Sequence, residues 1–481
     1  MAAVACRWLW TGSEEAPLEN VRLQLQDGRI SEISPGSGGD FFVMPAFVDA
    51  HCHFTQMARF AAALDLSGAA GAADVLAAVG RSASGGEGII HGERFDESGW
   101  DDPRLPTPDQ LDAAAGGRPV FLRRVCCHMA LMNSAMMDLY EEGAPGIDRD
   151  TGVAVEGPVL EFDRRFAPSG EDLAASLRDA AAKANALGVT GVCTMERLED
   201  ARRLRDTDLG LEVSSAVLAE DLDGLEADEG MLGVKCFLDG SVGARTAAME
   251  APWASGEGPA ELLYEDGELT GLLSRAWRLG LPPVMHAIGG RAVRQAARCS
   301  RAALETAEAP ERLAWARVEH AEELDGETMS ELDPSLHRVC AQPNFVSAWQ
   351  HPGGLYAKRL GWDAARAMNA FAELLGRGVG LCFGSDGMPF GPLAGLDGAV
   401  WHPHTRGRLT VGQALRAYTL DAAAISGMDG LARPLEAGRR ADLVVLSDSP
   451  FLKGGFSGIE VVAVYRRGRQ VAGGGRGPMA S

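Results

Sequence analysis

Two histidines separated by one residue, His51 and His53, follow the apolar segment 44–50. If this segment is a β-strand, residues two apart point to the same side, so both imidazoles face one point. Neutral imidazole suits Zn²⁺ and related divalent metals, and catalytic metal sites keep one coordination position open for water. A His-x-His pair also occurs on ordinary protein surfaces, so its meaning depends on ligands elsewhere in the chain.

Further side chains that could bind a metal interrupt or end later apolar segments. They are Lys235 within 231–238, His286 at the end of 283–286, His320 at the end of 315–320, and Asp386 at the end of 379–386. In a barrel of alternating strands and helices, the carboxyl ends of the strands meet at one mouth, so these side chains would converge. Divalent cations held there would lower the pKa of bound water and polarise a carbonyl group. Asp386 could then take a proton from the water and return it to a leaving nitrogen.

The middle of the chain alternates strand-like and helical segments, which is typical of βα units. The predicted strands are 47–52, 189–194, 211–217, 231–238, 282–286, 314–319, 337–341 and 379–384. Predicted helices between them include 171–187, 291–307 and 364–377. Eight strands predict an α/β protein with a (β/α)₈ (TIM) barrel. A doubly wound sheet is the competing fold, but no glycine-rich phosphate loop follows the first strand.

Both ends of the chain carry short strand-like segments with hairpin turns, such as Asp27-Gly28 and Arg467-Gly468. We expect 1–45 and 431–481 to form one small β-sandwich domain beside a barrel at 46–430. The interval of about 55–188 is too long for one barrel connection. It contains strand-like pieces at 88–91 and 119–123, so we predict an insertion after the first strand that covers the barrel mouth.

Composition limits the partners that this chain could have. Its 481 residues are 46% hydrophobic and carry a net charge of −22, which repels nucleic acid and anionic membranes. The nine cysteines form no Cys-x-x-Cys pair, which favours a reducing compartment over a disulfide framework. Neither a signal peptide nor an 18-residue apolar run is visible. We therefore expect a cytoplasmic protein that acts on a small molecule, with a homo-oligomer left open.

Taken in order, these motifs resemble the amidohydrolase superfamily, and within it the branch of YtcJ-like proteins and N-substituted formamide deformylases. The resemblance covers nearly the whole chain. It is carried by Met44–His53, Val234–Ala248, His286–Gly289, Glu319–Ala321, Gln342-Pro343, Gly384–Asp386 and Gly438–Leu446, with Arg123-Arg124, His128 and Asn133-Ser134 in the insertion.

The resemblance implies a metal site, with Zn²⁺ as the expected cation and one or two ions bound. The residues it assigns as ligands are His51, His53, His286, His320 and Asp386, and Asp386 would also be the catalytic aspartate. Lys235 would be carbamylated by CO₂ and bridge two metals. The sequence alone shows only a lysine in an apolar strand, which could instead extend its amine to water. Asp386 could likewise be only a cap of the following turn.

The implied activity is hydrolysis of a carbon–nitrogen bond other than a peptide bond (EC 3.5), such as an amide or formamide. His128 is a candidate donor to the substrate carbonyl, and Arg245 could hold a substrate carboxylate by two hydrogen bonds. A structural histidine and an ordinary loop ion pair are the alternatives for these two residues. The branch usually has Asp at 290, His at 344 and Asp-Gly at 126–127, where this chain has Gly, Asn and Cys-Cys.

Two other functions fit the same residues. A deaminase could use the same metal site, although no His-x-x-Glu begins at His286. A non-catalytic metal-binding protein could also have this barrel, but the intact Asp386 argues against it. The sequence leaves the substrate, the metal and its number of ions, the carbamylation of Lys235 and the oligomeric state undecided.

Overall fold

A computed structural model describes residues 2–13, 16–61, 63–84, 88–97, 100–125, 129–155, 157–166, 170–226, 229–258, 260–307 and 314–473. His128, one of the predicted substrate contacts, lies outside the described residues together with Cys126 and Cys127. The chain divides into two compact units, which are Met1–Thr55 with Arg178–Ser481, and Gln56–Leu177.

The strands, in chain order, are β1 (Ala2–Leu9), β2 (Leu18–Gln26), β3 (Arg29–Pro35), β4 (Gly39–Pro45), β5 (Phe47–Cys52), β6 (Leu64–Asp65), β7 (Ile90–Phe95), β8 (Val120–Arg124), β9 (Met129–Met132), β10 (Ile147–Asp148), β11 (Val153–Val155), β12 (Val189–Glu196), β13 (Glu212–Leu218), β14 (Gly233–Phe237), β15 (Pro283–Ala287), β16 (Ala316–His320), β17 (His337–Ala341), β18 (Gly380–Phe383), β19 (Leu443–Leu446), β20 (Val461–Arg466) and β21 (Arg469–Ala472).

The α-helices are α1 (Phe54–Phe60), α2 (Ala72–Ala83), α3 (Pro108–Ala115), α4 (Ser134–Met137), α5 (Gly157–Arg165), α6 (Gly170–Ala186), α7 (Leu198–Asp206), α8 (Asp266–Arg278), α9 (Gly290–Ala307), α10 (Gly326–Glu331), α11 (Pro343–Trp349), α12 (Leu355–Leu360), α13 (Trp362–Ala365), α14 (Phe371–Gly376), α15 (Leu393–Val400), α16 (Val411–Ala417), α17 (Leu420–Ile425) and α18 (Pro450–Lys453).

Eight parallel strands form the barrel sheet, in the order β5, β12, β13, β14, β15, β16, β17 and β18. β12 is buried along its whole length, as expected for a parallel strand that is covered on both faces. Beyond β18, the backbone N–H of Asp386 donates to the carbonyl of His51 at 2.8 Å, which brings the last strand back to the first. The predicted (β/α)₈ barrel is confirmed, and each predicted strand overlaps an observed one.

Strands from both ends of the chain form one seven-stranded sheet, in the order β21, β20, β19, β4, β1, β2 and β3. The two predicted hairpins are confirmed as the antiparallel pairs β2–β3 and β20–β21. The sheet shares a single hydrophobic cluster, to which Val4, Leu23, Val43 and Val445 all contribute. The cluster therefore joins strands from both termini in one core.

The unit Gln56–Leu177 has its own six-stranded mixed sheet, in the order β10, β11, β9, β8, β7 and β6. Both strand-like pieces predicted in this interval are present, as β7 and β8. Residues of β8 pack alternately into two hydrophobic clusters. Val120 and Leu122 belong to one cluster, and Phe121 belongs to the other. This alternation places apolar layers on both faces of the sheet. That the insertion covers the barrel mouth stays a prediction.

One predicted helix is wrong in its extent. Instead of a single helix over 364–377, the chain forms α13 and α14, and Asn369 between them has a backbone φ of +57°. Asparagine tolerates this left-handed conformation better than most residues, and it ends helices. The Asn369 side chain donates to Gln350 Oε1 at 2.9 Å, which fixes the break. Among the described residues, no helix is both long and apolar enough to cross a membrane.

Candidate metal centre

The carboxyl end of β5 brings two imidazoles to one carboxylate oxygen. Nε2 of His51 lies 3.3 Å from Asp386 Oδ1, and Nε2 of His53 lies 3.4 Å from the same oxygen. His51 is buried, whereas the side chain of His53 is 29% exposed. A nitrogen from each ring and a carboxylate oxygen of Asp386 all lie within 4.8 Å of one another. This set can therefore supply three ligands to one cation.

The segment Gly384–Asp386 fixes the carboxylate by backbone contacts with the first strand. A Cβ atom at Gly384 would lie 2.3 Å from the backbone nitrogen of His51, so only glycine permits this approach. The N–H of Ser385 donates to Asp49 Oδ1 at 2.9 Å, and the N–H of His51 donates to the same oxygen at 3.2 Å. Asp386 itself has a φ of +54°, a strained conformation of the kind found at functional sites.

Two more imidazoles complete the cluster. The ring centre of His320 lies 5.0 Å from that of His51, and the ring centre of His286 lies 4.5 Å from that of His320. The two residues lie at the ends of neighbouring strands, His320 on β16 and His286 on β15. The structure therefore brings together all four histidines and the aspartate that the sequence predicted as ligands.

Hydrogen bonds determine which nitrogen of each ring could bind a metal. Nδ1 of His320 donates to the amide oxygen of Gln342 at 2.8 Å, which leaves Nε2 with a lone pair. Nε2 of His286 donates to the carbonyl of Gly240 at 3.0 Å, which leaves Nδ1. Such outer partners fix the orientation of metal-binding imidazoles. Burial, with a smaller contribution from Lys235, lowers the pKa of His286 to about 3, so its ring is neutral.

His51 is held from its other side by Glu319. Its Nδ1–H donates to Glu319 Oε2 through a short contact, while its Nε2 has no hydrogen-bond partner among the described residues. Burial would lower the pKa of His51, and so would Lys235, but Glu319 and Asp386 outweigh them and raise it. When the ring is protonated, its second proton lies on Nε2 and faces Asp386. Binding of a cation at Nε2 would displace that proton.

Burial would raise the pKa of Asp386, but contact with His51 and His53 keeps it well below its usual value. The carboxylate is thus ionised while it faces two imidazoles. An ionised carboxylate among ring nitrogens suits Zn²⁺ and similar cations.

Lys235 lies on β14 with its side chain in the same interior. The residue is 1% exposed, and its Nζ has no hydrogen-bond partner among the described residues. The amine lies 4.7 Å from the centre of the Phe237 ring. Burial lowers the pKa of Lys235, although Glu319 and Asp386 act in the opposite direction. Snorkelling to water does not describe this amine, because it is enclosed.

Backbone loops after β14 and β15 are joined by Asp239. Its carboxylate accepts three backbone N–H groups, from Ala248 at 2.9 Å, Ile288 at 3.0 Å and Gly289 at 2.9 Å. Burial raises the pKa of Asp239 to about 6, and these donors partly offset that effect. Because Ile288 and Gly289 closely follow His286, the contacts fix the end of that strand.

The predicted substrate contact Arg245 lies in the loop after β14. Its Nη1 is 3.1 Å from Glu257 Oε2, and its side chain is 37% exposed. The guanidinium is therefore engaged in a loop ion pair, which is the alternative that the sequence left open. A role of Arg245 in substrate binding stays a prediction.

Asn344 stands where the branch usually has histidine. Its amide Nδ2 donates to the carbonyls of Ser385 at 2.7 Å and Met388 at 2.8 Å, so it fixes the loop that carries Asp386. Gly290, the other departure in this region, begins α9, and its N–H donates to Glu323 at 2.7 Å. A Cβ at Gly290 would lie 2.7 Å from the side chain of Glu250. At both positions, the residue that replaces the usual one of the branch forms hydrogen bonds with neighbouring segments.

The donor set fits a divalent cation. Four imidazoles and one ionised carboxylate converge. Two buried nitrogens of this interior, His51 Nε2 and Lys235 Nζ, have no hydrogen-bond partner among the described residues. A second grouping of His51, Glu319 and Cys340 also has close donor atoms. There, however, Glu319 already pairs with Arg317 through one oxygen and with Nδ1 of His51 through the other.

The sequence analysis assigned no role to three residues that orient these candidate ligands, Glu319, Gln342 and Asp239, although all three lie in the motifs that carry the resemblance. One signal was available for the first of them. Arg317 and Glu319 are two residues apart in a strand that is otherwise apolar, so both charges face the same side. Two charges on one face of a buried strand indicate an internal ion pair. For Gln342 and Asp239 the residue pattern indicates no orienting role, because a single polar residue after a strand is common.

Comparison with known proteins agrees with this geometry. A profile of the amidohydrolase family matches residues 40–472. The chain is 26% identical to YtcJ of Bacillus subtilis (strain 168) over 469 residues, which cover 85% of this chain and 84% of that protein. It is also 26% identical to the N-substituted formamide deformylase of Arthrobacter pascens over 470 residues, with the same coverage of 85% and 84%.

Solved structures give the same result. A structure described as an uncharacterized metal-dependent hydrolase from Pyrococcus furiosus matches with a TM-score of 0.76 and 26% identity, over 93% of this chain and 100% of that one. The family predicted from the ordered motifs is thus confirmed. With a family profile that spans most of its length, this chain belongs to the amidohydrolase family.

Proposed function

We propose that this protein is a metal-dependent amidohydrolase that cleaves a carbon–nitrogen bond of an amide or formamide. The observation that carries the proposal is the position of Asp386 Oδ1, which lies 3.3 Å and 3.4 Å from the imidazoles of His51 and His53. A carboxylate so placed can both bind a cation and exchange protons beside it. His286 and His320 supply two further nitrogens.

The four histidines and Asp386 would hold a divalent cation, with Zn²⁺ as the proposed ion, which would supply an acidified water and polarise the substrate carbonyl. Asp386 takes one proton from the attacking water and passes it to the leaving nitrogen as the carbon–nitrogen bond breaks. For a formamide, the balance is R–NH–CHO + H₂O → R–NH₂ + HCOOH. His53 is the ligand most exposed to a bound substrate, because the other ring of the pair is enclosed.

We propose that Lys235 carries a carbamate. Its enclosed amine has a lowered pKa, and a neutral amine can attack CO₂ to give a carbamate and one proton. The product is a carboxylate on a long side chain within reach of the same interior. It would give the site a sixth ligand and allow two cations to share one bridge. Mass spectrometry under native conditions would detect the added CO₂.

N-substituted formamides are the first substrates to test. This choice rests on the relative from Arthrobacter pascens, whose name describes deformylation of these compounds. Simple amides and amino-heterocycles form the rest of the panel. Turnover of amino-heterocycles alone would favour a deaminase, and no turnover of any compound by metal-loaded protein would favour a metal-binding protein without catalysis.

The decisive variant is Asp386→Asn. It removes the proton acceptor but keeps an oxygen in place, so we expect the metal content to stay near the wild-type value while kcat falls by about two orders of magnitude or more. Elemental analysis and steady-state kinetics on the same preparations measure both quantities. Unchanged turnover in Asp386→Asn would exclude the proposed role of this carboxylate.

A further inference from the structure

An arginine lies fully buried inside the barrel. Arg317 on β16 is 0% exposed, and its Nε donates to Glu319 Oε1 through a short contact. Its Nη1 and Nη2 each lie 3.6 Å from Cys193 Sγ. Removing a guanidinium from water is costly unless it is paired, and an aliphatic side chain would often be as stable in such a place. An internal ion pair at this position therefore calls for a reason beyond packing.

Glu319 divides its two oxygens between two partners. Oε1 contacts Arg317, and Oε2 accepts the Nδ1–H of His51. The carboxylate thus links β16 to β5, and both contacts are enclosed. On the far side of the same imidazole, His51 Nε2 lies 3.3 Å from Asp386 Oδ1. Hydrogen bonds therefore lead from Arg317 through Glu319 to His51, whose other nitrogen faces the proposed catalytic carboxylate.

We propose that Arg317 is a positioning residue of the metal centre, which acts through Glu319 to keep the Nε2 of His51 directed at the cation; this inference rests on the proposed function. An imidazole can rotate about its bond to Cβ, and the acceptor at Nδ1 is what fixes its plane. Glu319 can do this only while its own orientation is fixed. Arg317 supplies that constraint, because its Nε holds the oxygen that His51 does not use.

The test measures metal affinity, which packing alone does not set. The variants are Arg317→Met, which keeps the length of the side chain without charge, and Arg317→Lys, which keeps charge without the planar fork. Arg338→Met is the matched control, because Arg338 lies on neighbouring β17 and donates to the carbonyls of Pro334 and His337 instead. Each protein is stripped of metal and titrated with Co²⁺ or Zn²⁺ against a competing chelator. Thermal unfolding of the stripped protein is recorded in parallel.

We expect Arg317→Met to bind the cation about 10- to 100-fold more weakly than the wild type, the range typical of lost outer partners. Arg317→Lys should recover part of that affinity, and Arg338→Met should retain all of it. The visible spectrum of bound Co²⁺ should also change in Arg317→Met if His51 is displaced. Wild-type affinity and spectrum in folded Arg317→Met, with only a lower unfolding temperature, would overturn the proposal.

A second design keeps the question answerable if Arg317→Met does not fold. The double variant Arg317→Met/Glu319→Gln removes both charges, so no buried ion is left unpaired. We expect it to fold and still to bind the cation weakly, because an amide is a poorer acceptor for His51 than a carboxylate. Wild-type affinity in this double variant would also overturn the proposal. If the wild-type protein itself binds no divalent cation, the proposed function fails first.

Discussion

At the scale of single residues, the candidate metal centre depends on how closely two backbones can approach. Gly384 faces His51, and Asp386 two residues later receives its position from that contact. The same principle applies at Gly289, where a Cβ would lie 2.2 Å from the backbone of Ala248. In both places the absent side chain is what allows two loops at strand ends to meet. Glycines of this kind act on the site without contributing any chemistry.

Substitution of Gly384 by alanine tests this argument. The added Cβ would lie 2.3 Å from the backbone nitrogen of His51, and backbone cannot move aside as a flexible side chain can. We expect Gly384→Ala to lower the free energy of unfolding by about 1–3 kcal/mol or more, and to weaken metal binding. The control is Gly271→Ala in the exposed part of α8, where a Cβ meets nothing within 4 Å. There alanine should stabilise the protein by about 0.5–1 kcal/mol. Equal stability of the two variants in denaturant titrations would contradict the argument.

At the scale of elements, α9 and β17 are joined by a histidine far along the strand from the candidate ligands. Nδ1 of His337, at the beginning of β17, accepts the backbone N–H of Asp333 at 2.8 Å. Its Nε2–H donates to Ser300 Oγ on α9 at 2.9 Å. A nitrogen that accepts an N–H cannot carry a proton, so this arrangement requires the neutral ring. Burial lowers the pKa of His337 to about 4, with a smaller contribution from Arg301.

This histidine predicts a loss of stability in acid. Its folded pKa of about 4 lies below the ordinary value of 6.5, so the unfolded chain binds more protons between these two pH values. The contribution of His337 is therefore complete above about pH 6.5 and is lost as the pH falls towards 4. Between pH 7 and pH 5, the loss should be on the order of 1–2 kcal/mol. Denaturant titrations of the wild type and His337→Gln at both pH values measure it. The variant should lose less stability, and an equal loss would show that His337 does not titrate as inferred.

Elements differ in how far the sequence could predict them. The eight barrel strands are short runs in which apolar residues predominate, because both faces of a parallel sheet are covered, and such runs stand out in a sequence. The sequence around Asn369 contains no glycine or proline that would have predicted the break between α13 and α14. The candidate ligand histidines follow from their place at strand ends, whereas the oxygen that Gln342 offers to His320 depends on how two loops meet in space. Sequence thus predicts which residues reach the site better than which residues orient them.

At the scale of the whole molecule, every proposed ligand belongs to one of the two units. His51, His53, Lys235, His286, His320 and Asp386 all lie in the unit formed by Met1–Thr55 and Arg178–Ser481. The unit Gln56–Leu177 has two hydrophobic clusters of its own on its six-stranded sheet. Its local stability therefore has a source that does not involve the ligands. A cation that binds only the folded set of candidate ligands should therefore stabilise the unit that contains them and leave the local stability of the other unit unchanged.

Hydrogen exchange with and without metal tests this separation. A ligand at 100 times its dissociation constant stabilises the folded state by about 2.7 kcal/mol, so amides that exchange only when the site opens should slow by up to about 100-fold. We expect such slowing at the carboxyl ends of β5, β16 and β18 when Zn²⁺ is added to stripped protein. Exchange in β7 and β8 should stay the same, because their openings do not release the cation. The double variant His51→Ala/His53→Ala, which lacks two ligands, should show no metal effect in any strand. Slowing confined to β7 and β8 would place the cation in the other unit, and equal slowing in both units would mean that they open as one.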